Sequence, residues 1–204
     1  MKEQDIKKLF TNTTKVILAS NSNTRKKILQ ANNVKFDIRP HKVDEEEFKK
    51  KGKINSPENI VFEIAKAKAL SQTSTNTEEI IIGSDQILVC DGNIISKAKS
   101  KVEAREKFQK LNNKMHRLIS AICIIKKREC IWKKISCAEV FLKKMTTKMI
   151  NKYLDENLEN ALECVGGYKI EEDCMQLLTI HKGSLEDIQG FPISEFITLY
   201  KKRK

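Results

Sequence analysis

The sequence predicts an α/β fold around a mixed sheet, and three observations carry that prediction. A short apolar run, Val16 to Ala19, is followed by a small polar turn and then a helix-like pattern, as in a strand feeding a helix. Two long strand-like runs, His116 to Ile125 and Cys130 to Leu142, are joined only by Lys126-Lys127-Arg128-Glu129 and therefore read as an antiparallel hairpin. Helical segments lie between and after these runs, so parallel crossovers and a hairpin share one chain.

At 204 residues and 40% hydrophobic content, the chain can bury one sizeable core or form a single domain with two lobes. Residues 1–14 read as an N-terminal extension and Lys201-Lys202-Arg203-Lys204 as a basic tail. The 39 Lys+Arg against 27 Asp+Glu give a formal charge of +12, which attracts polyanions without choosing among them. The basic residues are scattered as pairs, so compositional bias accounts for much of the excess and no specific nucleic-acid partner is expected. Six cysteines form no C-x-x-C pair and sit mostly in apolar runs, where cysteine acts as a small hydrophobe, so neither a zinc site nor a disulfide framework is expected. The N-terminus lacks a signal-like apolar segment and no stretch is long and apolar enough to span a bilayer, which points to a reducing cytoplasm and no membrane partner.

The first strand and turn lead into a helix beginning near Arg25, with Ile28 and Leu29 inward. A Ser or Asn at such a turn ordinarily caps a surface helix. Here the turn also directs N–H groups and hydroxyls at one point before a helix N-terminus, where an anion is favoured, and Arg25 adds a planar multi-donor cation. Lys35 to Ile38 reads as a second strand closed by Pro40, and Asp44-Glu45-Glu46-Glu47 as a solvated acidic loop. Ser56-Pro57-Glu58 opens a helix running to about Ser71. Its apolar stripe of Val61, Ile64 and Ala65 continues onto Lys68, whose ammonium either snorkels outward or is held over a polar cleft.

Glu79 to Cys90 contains two apolar runs interrupted by Gly83-Ser84-Asp85, read either as an Asp-centred turn or as a carboxylate facing a partner, metal or cleft. Asp91-Gly92 signals a hairpin that returns Lys97 toward Asp85. Val102 to Leu111 reads as a helix, Thr146-Thr147 as the cap of another through Leu154, Cys174 to Ile180 as a strand, and Pro192 as the start of a terminal helix presenting Ile193, Phe196, Ile197 and Tyr200 to the core. His41, His116 and His181 are isolated in sequence and read as structural or surface groups.

Arg25, Lys68 and Lys97 supply cations while Glu45 and Asp85 supply carboxylates, each at a turn or on an otherwise apolar element. Cations suit phosphates and carboxylates suit magnesium, so together they meet the needs of nucleoside triphosphate hydrolysis.

In these segments the chain resembles the Maf family of house-cleaning nucleoside triphosphate pyrophosphatases. The opening A-S-x-S-P-x-R pattern is similar to Ala19-Ser20-Asn21-Ser22-Asn23-Thr24-Arg25, the D-E loop to Asp44-Glu45, and the A-x-x-K-A helix to Ala65-Lys66-Ala67-Lys68-Ala69. Gly83-Ser84-Asp85, Ser96-Lys97-Ala98, Leu111 to His116, Cys164 to Glu171 and Gly190-Phe191-Pro192-Ile193 follow in the family's order. Asn23, Thr24, Gln86 and Ala98 depart from the pattern, while Glu171 and Cys164-Val165-Gly166 are closer to the branch with Cys-Ala-Gly and Glu, some of whose members hydrolyse 7-methyl-GTP.

The resemblance implies an elongated two-lobed α/β fold, like that of inosine triphosphate pyrophosphatases, as a single domain with a deep cleft, often dimeric. It implies cleavage between the α- and β-phosphates of a modified or non-canonical nucleotide, giving a monophosphate and pyrophosphate. Asp85 would be the general base, and Glu45 and Asp85 the ligands of a divalent cation, Mg2+ or Mn2+. Ser20, Ser22, Arg25, Lys68, Lys97 and Glu171 would bind substrate. A non-catalytic nucleotide- or nucleic-acid-binding protein is the competing class, favoured by the charge and by the departures at Asn23 and Ala98. The retained Asp85, Glu45 and lysines favour the enzyme.

Overall fold

Strand β1 (Val16–Leu18) is buried along its whole length, as expected of an apolar run lying between two neighbouring strands. The computed structural model describes residues 14–50, 56–73, 78–170 and 176–202. After β1 come helix α1 (Asn23–Ala31), strand β2 (Asp37–Ile38), helix α2 (Glu45–Lys50) and helix α3 (Pro57–Leu70). Strands β3 (Ile80–Cys90) and β4 (Asn93–Ile95), helix α4 (Lys101–Leu111), and strands β5 (Lys114–Lys126) and β6 (Glu129–Leu142) follow. Helix α5 (Thr147–Glu163), strand β7 (Leu178–Lys182) and helices α6 (Leu185–Ile188) and α7 (Ser194–Lys201) complete the order.

The strands form a mixed, open seven-stranded sheet in the order β2-β1-β3-β5-β6-β7, with β4 paired to β3. β1 runs parallel to both neighbours, with Val16, Ile17 and Leu18 in register with Ile80, Ile81 and Ile82. The α/β class and mixed sheet expected from the sequence are therefore present. No described helix is long and apolar enough to cross a membrane.

Packing divides the chain into two compact units, residues 1–85, 120–135 and 190–204 in one and 86–119 and 136–189 in the other. The first has a core of Val16, Leu18, Ile80, Ile82, Ile122 and Ile124 against Phe191, Phe196 and Tyr200. Helix α3 lies very close to β3: a Cβ placed on Gly83 would fall 2.1 Å from the Ala65 carbonyl oxygen and 2.7 Å from the Ala69 nitrogen. The second unit gathers Leu88, Phe108, Leu118, Val140, Leu154 and Tyr168, with the Phe108 and Tyr153 rings 5.1 Å apart. Gln86, where the family often has Thr, donates its amide to the carbonyls of Asp187 and Ile188 in this unit.

Four local expectations are corrected. Asp44 to Glu47 is not a loop throughout, because Glu45–Lys50 forms α2. Its acids fill the first turn and Lys49 and Lys50 the last, complementing the helix dipole, while Asp44 Oδ1 accepts from the Glu46 N–H at 3.0 Å. Gly83-Ser84-Asp85 is no turn, since β3 runs unbroken through it and all three residues are buried. Helix α5 continues past Leu154 to Glu163 through a non-helical residue, Asn157, whose amide donates to the Tyr153 carbonyl. The late strand spans Leu178–Lys182 rather than ending at Ile180; the beginning of the expected strand, Cys174, lies outside the described residues.

Candidate active site

Ser22 is the N-cap of α1, its hydroxyl accepting from the Arg25 N–H at 3.4 Å. Ser20 Oγ accepts from the Ser22 N–H at 3.2 Å, so the two hydroxyls fold the turn back on itself. The capping role and the polar turn before a helix start are thus one structure. Arg25 reaches inward: its Nη1 donates to Ser20 Oγ at 3.3 Å and to the Ser84 carbonyl at 2.8 Å, and its Nη2 to the Gly190 carbonyl at 3.5 Å. Burial lowers the affinity of this guanidinium for its proton, opposed by the carboxylates of Asp85 and Glu45. A guanidinium is not deprotonated in proteins, so the group stays charged and brings a buried positive charge to the loop.

Lys68 does not snorkel. The close approach of α3 to Gly83 sets its ammonium against β3, where it donates to Asp85 Oδ1 at 2.7 Å and pairs with Glu45 Oε1 at 2.6 Å. Its side chain is 3% exposed, that of Asp85 6% and that of Glu45 30%. Desolvating such charges is costly, and one ammonium shared by two carboxylates offsets part of that cost. Lys68 thereby separates the two negative charges. Asp85 Oδ2 is buried and has no hydrogen-bond partner, which is uncommon for a carboxylate oxygen.

Glu45 has other neighbours. Lys49 Nζ lies 3.8 Å from its Oε2, and His41 Nε2 lies 4.0 Å from its Oε1. His41 Nδ1 accepts from the Val43 N–H at 3.3 Å. Burial, followed by the Lys68 charge, lowers the His41 pKa from its ordinary value, while Glu45 and Asp85 act in the opposite sense. Sequence reasoning set His41 aside and did not single out Lys49 or Ser84. The available signal was the four-residue spacing of His41 and Lys49 on either side of Glu45.

Of the expected site residues, Ser20, Ser22, Arg25, Glu45, Lys68 and Asp85 fall in the first unit, linked by the contacts above. Lys97 falls in the second, where it helps line a cavity of about 560 Å³ with Asp91, Lys107, Lys110 and Lys114. Glu171 lies outside the described residues.

The model of the family described as Maf-like protein matches residues 15–203. The chain belongs to the Maf family. Among its curated relatives is a Pelagibacter ubique protein named nucleoside triphosphate pyrophosphatase, 35% identical over 91% of this chain and 98% of the relative. A Bartonella henselae protein named 7-methyl-GTP pyrophosphatase is 31% identical over 87% of this chain and 90% of its own length. A Clostridioides difficile protein named dTTP/UTP pyrophosphatase is 32% identical over 92% and 94%. For this Maf-family chain, the Lys68–Asp85–Glu45 cluster beside the Ser20–Arg25 loop is the candidate active site.

Proposed function

We propose that the chain is a nucleoside triphosphate pyrophosphatase that cleaves between the α- and β-phosphates of a modified or non-canonical nucleotide. The observation that carries this reading is the Lys68 ammonium bound by both Asp85 and Glu45 while the buried Asp85 Oδ2 keeps an unmatched lone pair. The pyrophosphatase names of its relatives support the same activity.

In this reading Asp85 Oδ2 accepts a proton from water as its oxygen attacks the α-phosphorus. The bond from that phosphorus to the bridging oxygen breaks, and pyrophosphate departs. Lys68 fixes the carboxylates of Asp85 and Glu45 and contributes positive charge where phosphoryl charge develops. Ser20 and Ser22 supply hydroxyls at the N-terminus of α1, and Arg25 braces their loop while adding to its positive field. Lys97 and Glu171 are the remaining substrate-binding residues of the proposal.

A divalent cation, Mg2+ or Mn2+, suits this donor set. Glu45 and Asp85 already hold one cation, the Lys68 ammonium, and the unmatched Asp85 oxygen is a hard ligand. Magnesium is commonly bound by one or two carboxylates together with substrate phosphates, and Glu45 and Asp85 would supply those carboxylates. When bound, the cation neutralises phosphoryl oxygens. The unbridged cysteines Cys90, Cys123 and Cys130 suit the reducing cytoplasm to which we assign the protein. The assignment includes a homodimer on the family resemblance, which light scattering tests.

The test is a panel of canonical and modified triphosphates with the products identified by chromatography. Nucleoside monophosphate and pyrophosphate are expected, with the best substrate defining the base preference. Nucleoside diphosphate and orthophosphate as first products would overturn the proposal.

A further inference from the structure

Two cysteines on the β5–β6 hairpin meet away from the candidate active site. Cys123 Sγ, on buried β5, lies 3.3 Å from Cys130 Sγ, and Cys130 is exposed near the start of β6. The two strands are joined by Lys127 and Arg128, both with positive φ, as a tight two-residue hairpin turn requires. Ile122 and Ile124 point into the core of the first unit, so alternation along the strand directs Cys123 to the opposite face. There the charges of Lys66 and Glu63 on α3 act on it.

The surroundings give the two sulfurs different characters. The hydrogen bond from Cys123 lowers the Cys130 thiol to about 6 against the effect of burial, helped by the Trp132 backbone and the Lys133 and Lys66 charges. Cys123 shifts the other way, through that same hydrogen bond and its burial. One sulfur is an accessible nucleophile and the other its buried neighbour.

We propose that Cys130 and Cys123 form a peroxide-oxidisable dithiol, with Cys130 oxidised first and Cys123 resolving it into a disulfide. The Cys130 thiolate attacks one oxygen of hydrogen peroxide. The O–O bond breaks, hydroxide leaves and takes up a proton as water, and Cys130 becomes a sulfenic acid. Cys123 sulfur then attacks the Cys130 sulfur, expelling the sulfenic oxygen as a second water and losing its own proton. Two thiols have lost two electrons and two protons to one peroxide. Closing the sulfurs from 3.3 Å to a bond of about 2.0 Å requires a small side-chain movement on a hairpin that already holds them together.

The experiment treats the full-length protein with hydrogen peroxide under native conditions, blocks remaining thiols and maps the cysteines by mass spectrometry. A peptide pair joining Cys123 to Cys130 is expected, with intact mass lowered by about 2 Da and restored by dithiothreitol. In folded Cys123→Ser, Cys130 should persist as a sulfenic acid trapped by dimedone, whereas in folded Cys130→Ser the Cys123 thiol should survive the same dose. Linkage of Cys130 mainly to another cysteine, or wild-type Cys130 left reduced or over-oxidised without a Cys123 bond, would overturn the proposal. Should either variant fail to fold, the wild-type map alone decides.

Discussion

Lys68 Nζ and Asp85 Oδ1 stand 2.7 Å apart with side-chain exposures of only 3% and 6%. The lysine comes from helix α3 and the aspartate from strand β3, and Gly83 permits their elements to approach at that depth. This pairing joins the stability of the first unit to its chemistry.

Lys68→Ala should therefore lower both stability and activity. Removing the ammonium leaves Asp85 buried without its cation, a change worth roughly 3–5 kcal/mol, readable as a lower urea midpoint. If Lys68 contacts the triphosphate in both ground and transition states, KM should rise and kcat fall in steady-state assays. A variant as stable as wild type would contradict the pairing.

Gly83→Ala should destabilise without touching any charged group. The new Cβ would meet backbone atoms of α3, 2.1 Å from the Ala65 oxygen, so the helix must withdraw. A loss of about 1–3 kcal/mol is expected from overpacking, measured by chemical denaturation. Turnover should fall as well, because the same withdrawal draws Lys68 from Asp85.

His116 should impose an acid limit on stability. It is buried in the second unit with Nε2 2.5 Å from the Tyr168 hydroxyl, and burial lowers its pKa to about 4. An unfolded histidine titrates near 6.5, so between about pH 6.5 and pH 4 the unfolded chain binds the extra proton and stability falls as pH falls. Full loss of this contribution below pH 4 amounts to about 3 kcal/mol. Urea titrations should show this slope in wild type and a smaller one in His116→Gln.

Much of the site was legible because its residues violate local patterns. Lys68 falls on an apolar helical stripe, Asp85 interrupts apolar runs, and Ser20 to Arg25 place polar groups before a helix start. What pattern could not decide was contact across the fold. Whether Asp85 sat in a turn or a strand depended on α3 lying close enough to require Gly83. That Glu45 and Asp85 share one lysine was hidden for the same reason. Helix α2 escaped notice because a six-residue polar helix has no buried face to give it periodicity, and none of its residues is buried. His41 was passed over because its neighbours Lys68 and Asp85 are distant in sequence. Cys123 and Cys130 meet only because a hairpin folds between them, and exposed Cys130 departs from the small-hydrophobe reading of the cysteines.

The central claim is that Asp85 acts chemically, and turnover by a folded Asp85→Asn variant tests it most directly. Asparagine preserves size and can still accept from Lys68, while Glu45 still pairs with that lysine, so the fold should survive with a modest loss of stability. General-base catalysis contributes about 10² to 10⁴-fold, and loss of a cation ligand adds to it, so turnover of the best triphosphate should fall at least about 100-fold. A folded variant keeping more than about a tenth of wild-type turnover would contradict the role assigned to Asp85.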